Sequence, residues 1–226
     1  MSIISFTGKT METGSHFKLS KEYIHVDTPQ GPSFGGDQGW LDREKDRGYA
    51  CGPVAAHDLL LYLNKAADHL NIDDYKSGIK KDRFLFPVIN HFGIDGLRLS
   101  LGINIAFLLR KMPYRARWGV LPCRMRRIAD EMLKNDIPVI FSINTFFSFL
   151  KNHKTLKLYS RTSGGNLVPV FHASSHYMML TALDDDIMTL SSWGRKYYAR
   201  WSEYEDLVRH HSFFFFSNIC YVRKKK

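Results

Sequence analysis

The chain has 226 residues, of which 44% are hydrophobic, enough to bury the core of one domain or of two tightly packed lobes. Three cysteines are too few for a disulfide scaffold, and the lack of any run of about 20 apolar residues argues against a membrane span. The 32 lysines and arginines outnumber 22 acidic residues, and this net charge of +10 favours an acidic partner or substrate.

The sequence predicts a single domain over residues 1–226, of which residues 1–37 are an N-terminal extension. Residues 38–135 are predicted to be mainly helical and residues 136–226 mainly β, an order that indicates an α+β fold. The N-terminal residues lack a basic stretch followed by an apolar one, so a cytoplasmic location is the simplest expectation. Secretion by a non-standard route stays open.

Cys51 is the first candidate functional residue, in the run RGYACGPVAAHDLLLYL. Ala56, Leu59 and Leu63 recur at helical spacing, so the residues after the thiol are predicted to form an amphipathic helix. Pro53 suits the first turn of that helix, where no N–H donor is needed. Cys51 is therefore predicted at the helix N-terminus, which stabilises an anion and lowers the pKa of a thiol. A lone cysteine before a helix is most often structural, and only a downstream partner favours a nucleophile.

The middle of the chain is basic, because residues 96–129 contain no aspartate or glutamate. The segment is interpreted as a solvated face, as a surface for an acidic partner or substrate, or, more weakly, as a contact for a nucleic-acid backbone. No named DNA- or RNA-binding motif is present, so no specific nucleic acid is predicted. The candidate binding residues in this segment are Arg124, Arg126 and Arg127.

A histidine at the start of a predicted strand is the second candidate. Residues 177–191 are predicted to form a β-hairpin with the three aspartates of 184–186 in its turn. His176 would then face the helix N-terminus at Cys51, take the thiol proton as a base and return it to a leaving group. The two side chains are expected to form an ion pair. His172 is the alternative base.

These segments resemble papain-like cysteine peptidases, above all the C39-like group. ACGPVAAHDLLLYL resembles their nucleophile segment, in which Gly-Cys-Gly-Pro precedes the helix. HYMMLTALDDD followed by SSWG resembles their histidine strand and orienting segment, and DIPVIFSINTFF resembles the strand before the histidine. The matching pieces span about residues 38–208. The resemblance implies a helical part carrying the nucleophile, packed on an antiparallel sheet carrying the histidine.

The resemblance also implies roles for three further residues. Ser191 stands before Ser-Trp-Gly, where papain-like enzymes carry the residue that orients the histidine, so its hydroxyl is expected to orient His176 without supplying charge. Either the site works as a weakly oriented dyad or another acid moves in. Gln38 and the backbone N–H of Cys51 are the expected oxyanion hole, although the run LDREKDR lengthens the usual spacing. Trp193 is a candidate substrate or partner contact.

The remaining cysteines and aromatic residues are predicted to be structural. Cys123 and Cys220 have no CxxC partner and no histidine at zinc-ligand spacing, so both are predicted to be buried thiols, and no metal or cofactor is expected. The aromatic run 213–216 is predicted to be a buried strand. Ser202 is predicted to cap a helix over residues 202–208.

The sequence thus predicts a papain-like cysteine hydrolase, a peptidase or amidase that forms a thioester on Cys51 with His176 as base. An acyltransferase is the alternative within enzymes, because an amine can intercept the thioester in place of water. From another class, the chain is interpreted as a catalytically silent papain-like module that binds an acidic partner through its basic segment. The sequence indicates neither the cleaved bond nor the oligomeric state.

Overall fold

The computed structural model describes residues 16–64, 69–87, 93–145, 154–213 and 215–225. It shows the mixture of helices and antiparallel sheet that the sequence predicts. The helices are α1 Glu44–Tyr49, α2 Cys51–Asn64, α3 Ile72–Asp82, α4 Gly96–Leu109, α5 Pro122–Lys134 and α6 Trp201–His210, with a short 3-10 helix at Gln38–Trp40. The strands are β1 His16–Lys18, β2 His25–Thr28, β3 Gly31–Pro32, β4 His69–Asn71, β5 Tyr114–Trp118, β6 Val139–Asn144, β7 Leu156–Arg161, β8 Leu167–Ala173, β9 Ser175–Asp184, β10 Ile187–Ser192, β11 Arg195–Arg200 and β12 Ile219–Lys224.

The large sheet is antiparallel and has the strand order β5-β12-β6-β9-β10-β11-β7-β8. β1 pairs with the far end of β9, so residues 16–18 of the predicted N-terminal extension belong to this sheet. A second, three-stranded sheet contains β2, β3 and β4. β9 therefore has the central position, between β6 and β10.

Helix α2 packs against β9, α3 and α4, and this contact fixes the position of Cys51. Leu59 and Leu60 are fully buried, and so are the polar residues His57 and Asp58 on the same helix. The helix is thus covered on nearly all sides, whereas a surface amphipathic helix buries one face. The predicted helix is confirmed, and its polar residues are enclosed rather than solvated.

The predicted hairpin is confirmed by the antiparallel pairing of β9 with β10. Asp185 in its turn has a φ of 49°, a left-handed conformation that aspartate tolerates better than most residues. The two strands slip out of a simple register between Thr189 and Leu190, which marks a β-bulge. That bulge decides which side chains of β10 share a face with His176.

Two predictions about local structure are wrong. Phe213 is 60% exposed and Phe215 is 42% exposed, because residues 213 and 215–217 form a turn before β12; Phe214 lies outside the described residues. Ser202 is not the cap of α6, which begins at Trp201. Its N–H and hydroxyl instead donate to the carboxylate of Asp186, both at 2.8 Å.

The predicted burial of the two remaining cysteines is half right. Cys220 lies on β12 and is fully buried, as predicted. Cys123 is exposed, because it lies in the first turn of α5, where the buried stripe of the helix is carried by later residues. The two thiols therefore differ in accessibility to a reagent.

Among the described residues, no helix has the length and apolar character needed to cross a bilayer.

Candidate active site

Cys51 and His176 line one small cavity of about 20 Å³. Gln38, Ser192 and Trp193 line it as well. A volume of this size holds little more than one water molecule. The His176 side chain is buried there, and Cys51 is partly buried. The structure thus places in one cavity the two residues that the sequence predicts as nucleophile and base, although 125 positions separate them in the numbering.

The start of α2 lies directly against β9. The Cys51 sulfur receives backbone hydrogen bonds from Tyr177, Gly52 and Cys51 itself. A Cβ atom at Gly52 would lie 2.5 Å from Cγ2 of Ile94 and 3.3 Å from Cδ2 of Tyr177. A larger residue at position 52 would therefore displace the Ile94 side chain and crowd Tyr177, so glycine suits this close approach of the helix N-terminus.

Burial disfavours the predicted ion pair between thiolate and imidazolium in the free protein. Burial raises the pKa of the Cys51 thiol, and the backbone hydrogen bonds to the sulfur offset this only in part. Burial also lowers the pKa of His176, to about 3. Both shifts favour the neutral thiol and the neutral imidazole, because burial disfavours the charged form of each group. The helix N-terminus does not reverse that effect.

The hydroxyl that meets the imidazole belongs to Ser192 and not to the predicted Ser191. Ser192 Oγ lies 2.6 Å from His176 Nε2, and both side chains are buried. Ser191 Oγ donates instead to the carbonyl of Phe34, at 2.8 Å. Successive side chains of a strand point to opposite faces, so only one of the two serines can reach the histidine. The hydrogen bond to Ser192 thus occupies Nε2 of the imidazole and not Nδ1.

Trp193 covers the other side of the histidine. Its ring stacks on the imidazole with a centroid distance of 4.1 Å and an interplanar angle of 10°. Trp193 and Gly194 have φ values of 47° and 66°, the two left-handed residues of a tight turn between β10 and β11. The backbone of this turn bonds to residues 34–36 through Phe34 N to Gly194 O and Gly194 N to Gly36 O. Trp193 is thus held by its turn, and it contributes to the burial of His176.

Gln38 lies on the 3-10 helix and reaches the cavity despite its distance in sequence from Cys51. The intervening charged run includes α1, a compact helix that keeps the two residues close. Gln38 Nε2 donates one hydrogen bond to the carbonyl of Arg47, at 2.8 Å. A side-chain amide nitrogen carries two hydrogens, so a second donor remains for an oxyanion.

Asp58 is a residue of the cavity wall that the sequence reasoning missed. Its carboxylate accepts hydrogen bonds from Tyr75 Oη at 2.6 Å, Tyr23 Oη at 3.1 Å and Gly36 N at 3.1 Å. Burial raises the pKa of this carboxyl, and the hydrogen bonds oppose the shift. The signal was present as a polar pair, His57-Asp58, inside an otherwise apolar helical run. Asp58 thus fixes the position of Gly36 through a hydrogen bond, and the backbone of residues 34–36 bonds in turn to the Trp193 turn.

Other predicted site residues lie elsewhere. His172 is exposed on β8, with Nδ1 3.0 Å from Thr155 Oγ1. Arg126 donates to the carbonyl of Asp185 at 2.5 Å and lies 3.4 Å from Asp130. Asp185 follows the end of β9 opposite to His176, about 30 Å away along an extended strand. Arg124 and Arg127 share that turn of α5, so the three arginines do not line the Cys51 cavity.

Among the described residues, no group of three or more His, Cys, Asp or Glu side chains could hold a metal ion.

No protein-family model and no curated protein matches the chain. One solved structure, of a provisionally assigned C39-like peptidase from Bacillus anthracis, is similar over 94% of this chain and 100% of its own length. The sequence identity is 14% and the TM-score is 0.49. Similarity at this level transfers neither an activity nor a residue role to this chain.

Proposed function

We propose that the chain is a papain-like cysteine hydrolase that cleaves a peptide or amide bond. One observation carries the proposal: Cys51, at the start of a buried helix, and His176, at the start of the central strand, line one cavity. The imidazole is held there by the Ser192 hydroxyl and by the Trp193 ring. A nucleophile, a base and a group that orients the base are the parts that covalent acyl transfer needs.

The mechanism begins from the neutral pair. His176 takes the proton of Cys51 as the sulfur attacks the carbonyl carbon, so charge appears only while the bond forms. The oxyanion that develops is met by the backbone N–H of Cys51 and by the free amide hydrogen of Gln38. His176 then gives its proton to the leaving amine, and a thioester remains on Cys51. Water attacks the thioester with His176 again as base, which frees the acid and restores the thiol.

A larger cavity of about 780 Å³ offers space for the substrate chain. Ala50 and Pro53, which flank the nucleophile, lie in its wall together with Phe84 and Phe86. An ion pair between Arg83 and Asp46, at 2.6 Å, is part of the same wall. Apolar residues combined with a few charged groups are typical of a pocket that binds an organic substrate. We assign the substrate chain to this cavity.

The test is turnover of a series of peptide anilides and activated esters by the purified chain. The proposal expects release of the leaving group, loss of that release in Cys51→Ala and retention of it in Cys123→Ala, which removes the exposed thiol far from the site. No turnover of any substrate by the parent chain would favour the silent binding module, which the small cavity and the raised pKa of Cys51 also suit.

A further inference from the structure

Helix α4 exposes a row of large aliphatic side chains. Leu97, Leu101, Leu108 and Leu109 are 52%, 60%, 72% and 61% exposed, and Ile105 is 38% exposed. Large apolar side chains scattered singly over a surface are ordinary. Five of them on one 14-residue helix form a patch, and such patches mark sites of interaction.

The five residues lie on one side of the helix. At 100° per residue, positions 97, 101, 105, 108 and 109 fall within an arc of about 120°. The opposite side packs into the protein, where Leu99, Ile103, Ala106 and Phe107 are buried. α4 is thus apolar on both sides, and its outer side has no cover among the described residues. A helix that is apolar all round is normally buried or in contact with lipid.

A neighbouring turn extends the patch. A Cβ atom at Gly102 would lie 2.3 Å from the carbonyl of Leu85, so the turn at residues 83–86 abuts α4. Phe84, at the exposed side of this turn, is 72% exposed. The apolar surface therefore includes an aromatic ring beside the five aliphatic side chains.

The charges along α4 are predominantly positive, whereas Asp42 and Asp46 line the larger cavity together with Phe84. Arg98 falls within the exposed arc of α4, with its side chain 57% exposed, and Lys111 is exposed just beyond the end of the helix. Asp95, the N-cap of α4, is the partner of Arg98, at 3.3 Å. From residue 96 to residue 129 the sequence contains no acidic residue, and the chain as a whole carries a net charge of +10. A surface with this combination suits a negatively charged partner.

We propose that the outer side of α4, with Phe84, docks on the surface of an anionic lipid bilayer. Leucine, isoleucine and phenylalanine would enter the boundary between headgroups and acyl chains, and Arg98 and Lys111 would lie at the level of the anionic headgroups. A second copy of the chain fits less well. Two helices of about 21 Å in length, each about 10 Å wide, would together bury roughly 400–600 Å², well below the ~1,200 Å² of a stable dimer interface.

Co-sedimentation with vesicles tests the proposal, using the full chain and vesicles of phosphatidylcholine with or without phosphatidylserine. The parent chain is expected to sediment with the mixed vesicles and to sediment less with vesicles of phosphatidylcholine alone. Binding to the mixed vesicles should also weaken at 1 M salt, where the Debye screening length falls to about 3 Å. The double variant Leu101→Gln with Leu108→Gln should lose at least about tenfold in partitioning, because two apolar side chains no longer enter the bilayer.

The matched control is Val168→Gln with Val170→Gln, an exposed aliphatic pair on β8 whose members are 45% and 52% exposed. It should sediment like the parent, and all variants should keep the parent melting temperature because the changed positions are exposed. The proposal is overturned if the parent binds neither kind of vesicle or if the control loses as much binding as the α4 variant. It is also overturned if the parent proves to be a dimer that the α4 variant dissociates.

Discussion

Removal of the Ser192 hydroxyl is the most informative change to the site. Ser192→Ala takes away the oxygen that lies 2.6 Å from His176 Nε2 and leaves that nitrogen buried. A hydrogen bond between neutral groups is worth about 0.5–1.5 kcal/mol, and one to a charged group about 1.5–3 kcal/mol. Since His176 is neutral in the free protein and charged in the transition state, about 1–1.5 kcal/mol of transition-state stabilisation is lost and the barrier rises by that amount. That loss corresponds to a fall in kcat of roughly five- to tenfold.

Ser191→Ala is the matched control, because it removes a neighbouring hydroxyl that bonds to the Phe34 carbonyl and not to the imidazole. We expect it to change kcat by less than about twofold, within the effect of a small shift in the Trp193 turn. Ser192→Asn should preserve or raise activity, because an amide oxygen is a stronger acceptor for the imidazolium. The assay is the steady-state rate on any activated ester that the parent chain turns over. A collapse of activity in Ser191→Ala with none in Ser192→Ala would refute the orienting role of Ser192.

Two further predictions concern the histidines and the thiol. His176→Ala should abolish turnover, whereas His172→Ala should leave most of it, because His172 is exposed and bonds to Thr155. The steady-state rates of the two variants test this prediction, and equal losses of rate would contradict it. Burial raises the pKa of Cys51, so its alkylation by iodoacetamide should be slower at pH 7 than that of the exposed Cys123 and should keep rising above pH 9. Peptide mapping across a pH series measures both thiols, and a plateau for Cys51 between pH 5 and 8 would show that an ion pair exists after all.

The sequence predicted the parts of the site that depend on local periodicity. The helix after Cys51 and the hairpin after His176 each follow from the spacing of apolar residues, and both are confirmed. Their meeting in one cavity could be expected only from the resemblance to papain-like enzymes, because contacts between distant segments leave no local pattern.

The sequence pattern could not predict whether Ser191 or Ser192 bonds to His176, because the answer depends on a β-bulge. The first pairs of the β9–β10 hairpin match Met188 with Leu183 and Thr189 with Ala182, and this register would place Ser191 opposite Leu180, on the face of His176. The bulge after Thr189 shifts the pairing by one residue, so Leu190 takes that place. A shift of one residue exchanges the two faces of a strand, which is why Ser192 meets the imidazole.

The protonation state of Cys51 likewise could not be predicted from the local sequence. A helix N-terminus lowers the pKa of an exposed thiol, and the sequence predicted that lowering for Cys51, whose pKa burial raises instead. The covering groups come from β9, from the Trp193 turn and from the segment before α1, and together they leave a cavity of about 20 Å³. Burial therefore outweighs the helix dipole at Cys51.

The role of Cys51 as the nucleophile that His176 activates is tested most directly by trapping the acyl intermediate. The purified chain would be incubated with a thiol-directed acyl probe and analysed by intact mass and by peptide mapping. The account predicts an acyl group on Cys51 that disappears in His176→Ala and persists in Cys123→Ala, whereas any acylation of the exposed Cys123 is unchanged in His176→Ala. No acyl group on Cys51, or undiminished acylation of Cys51 in His176→Ala, would contradict it.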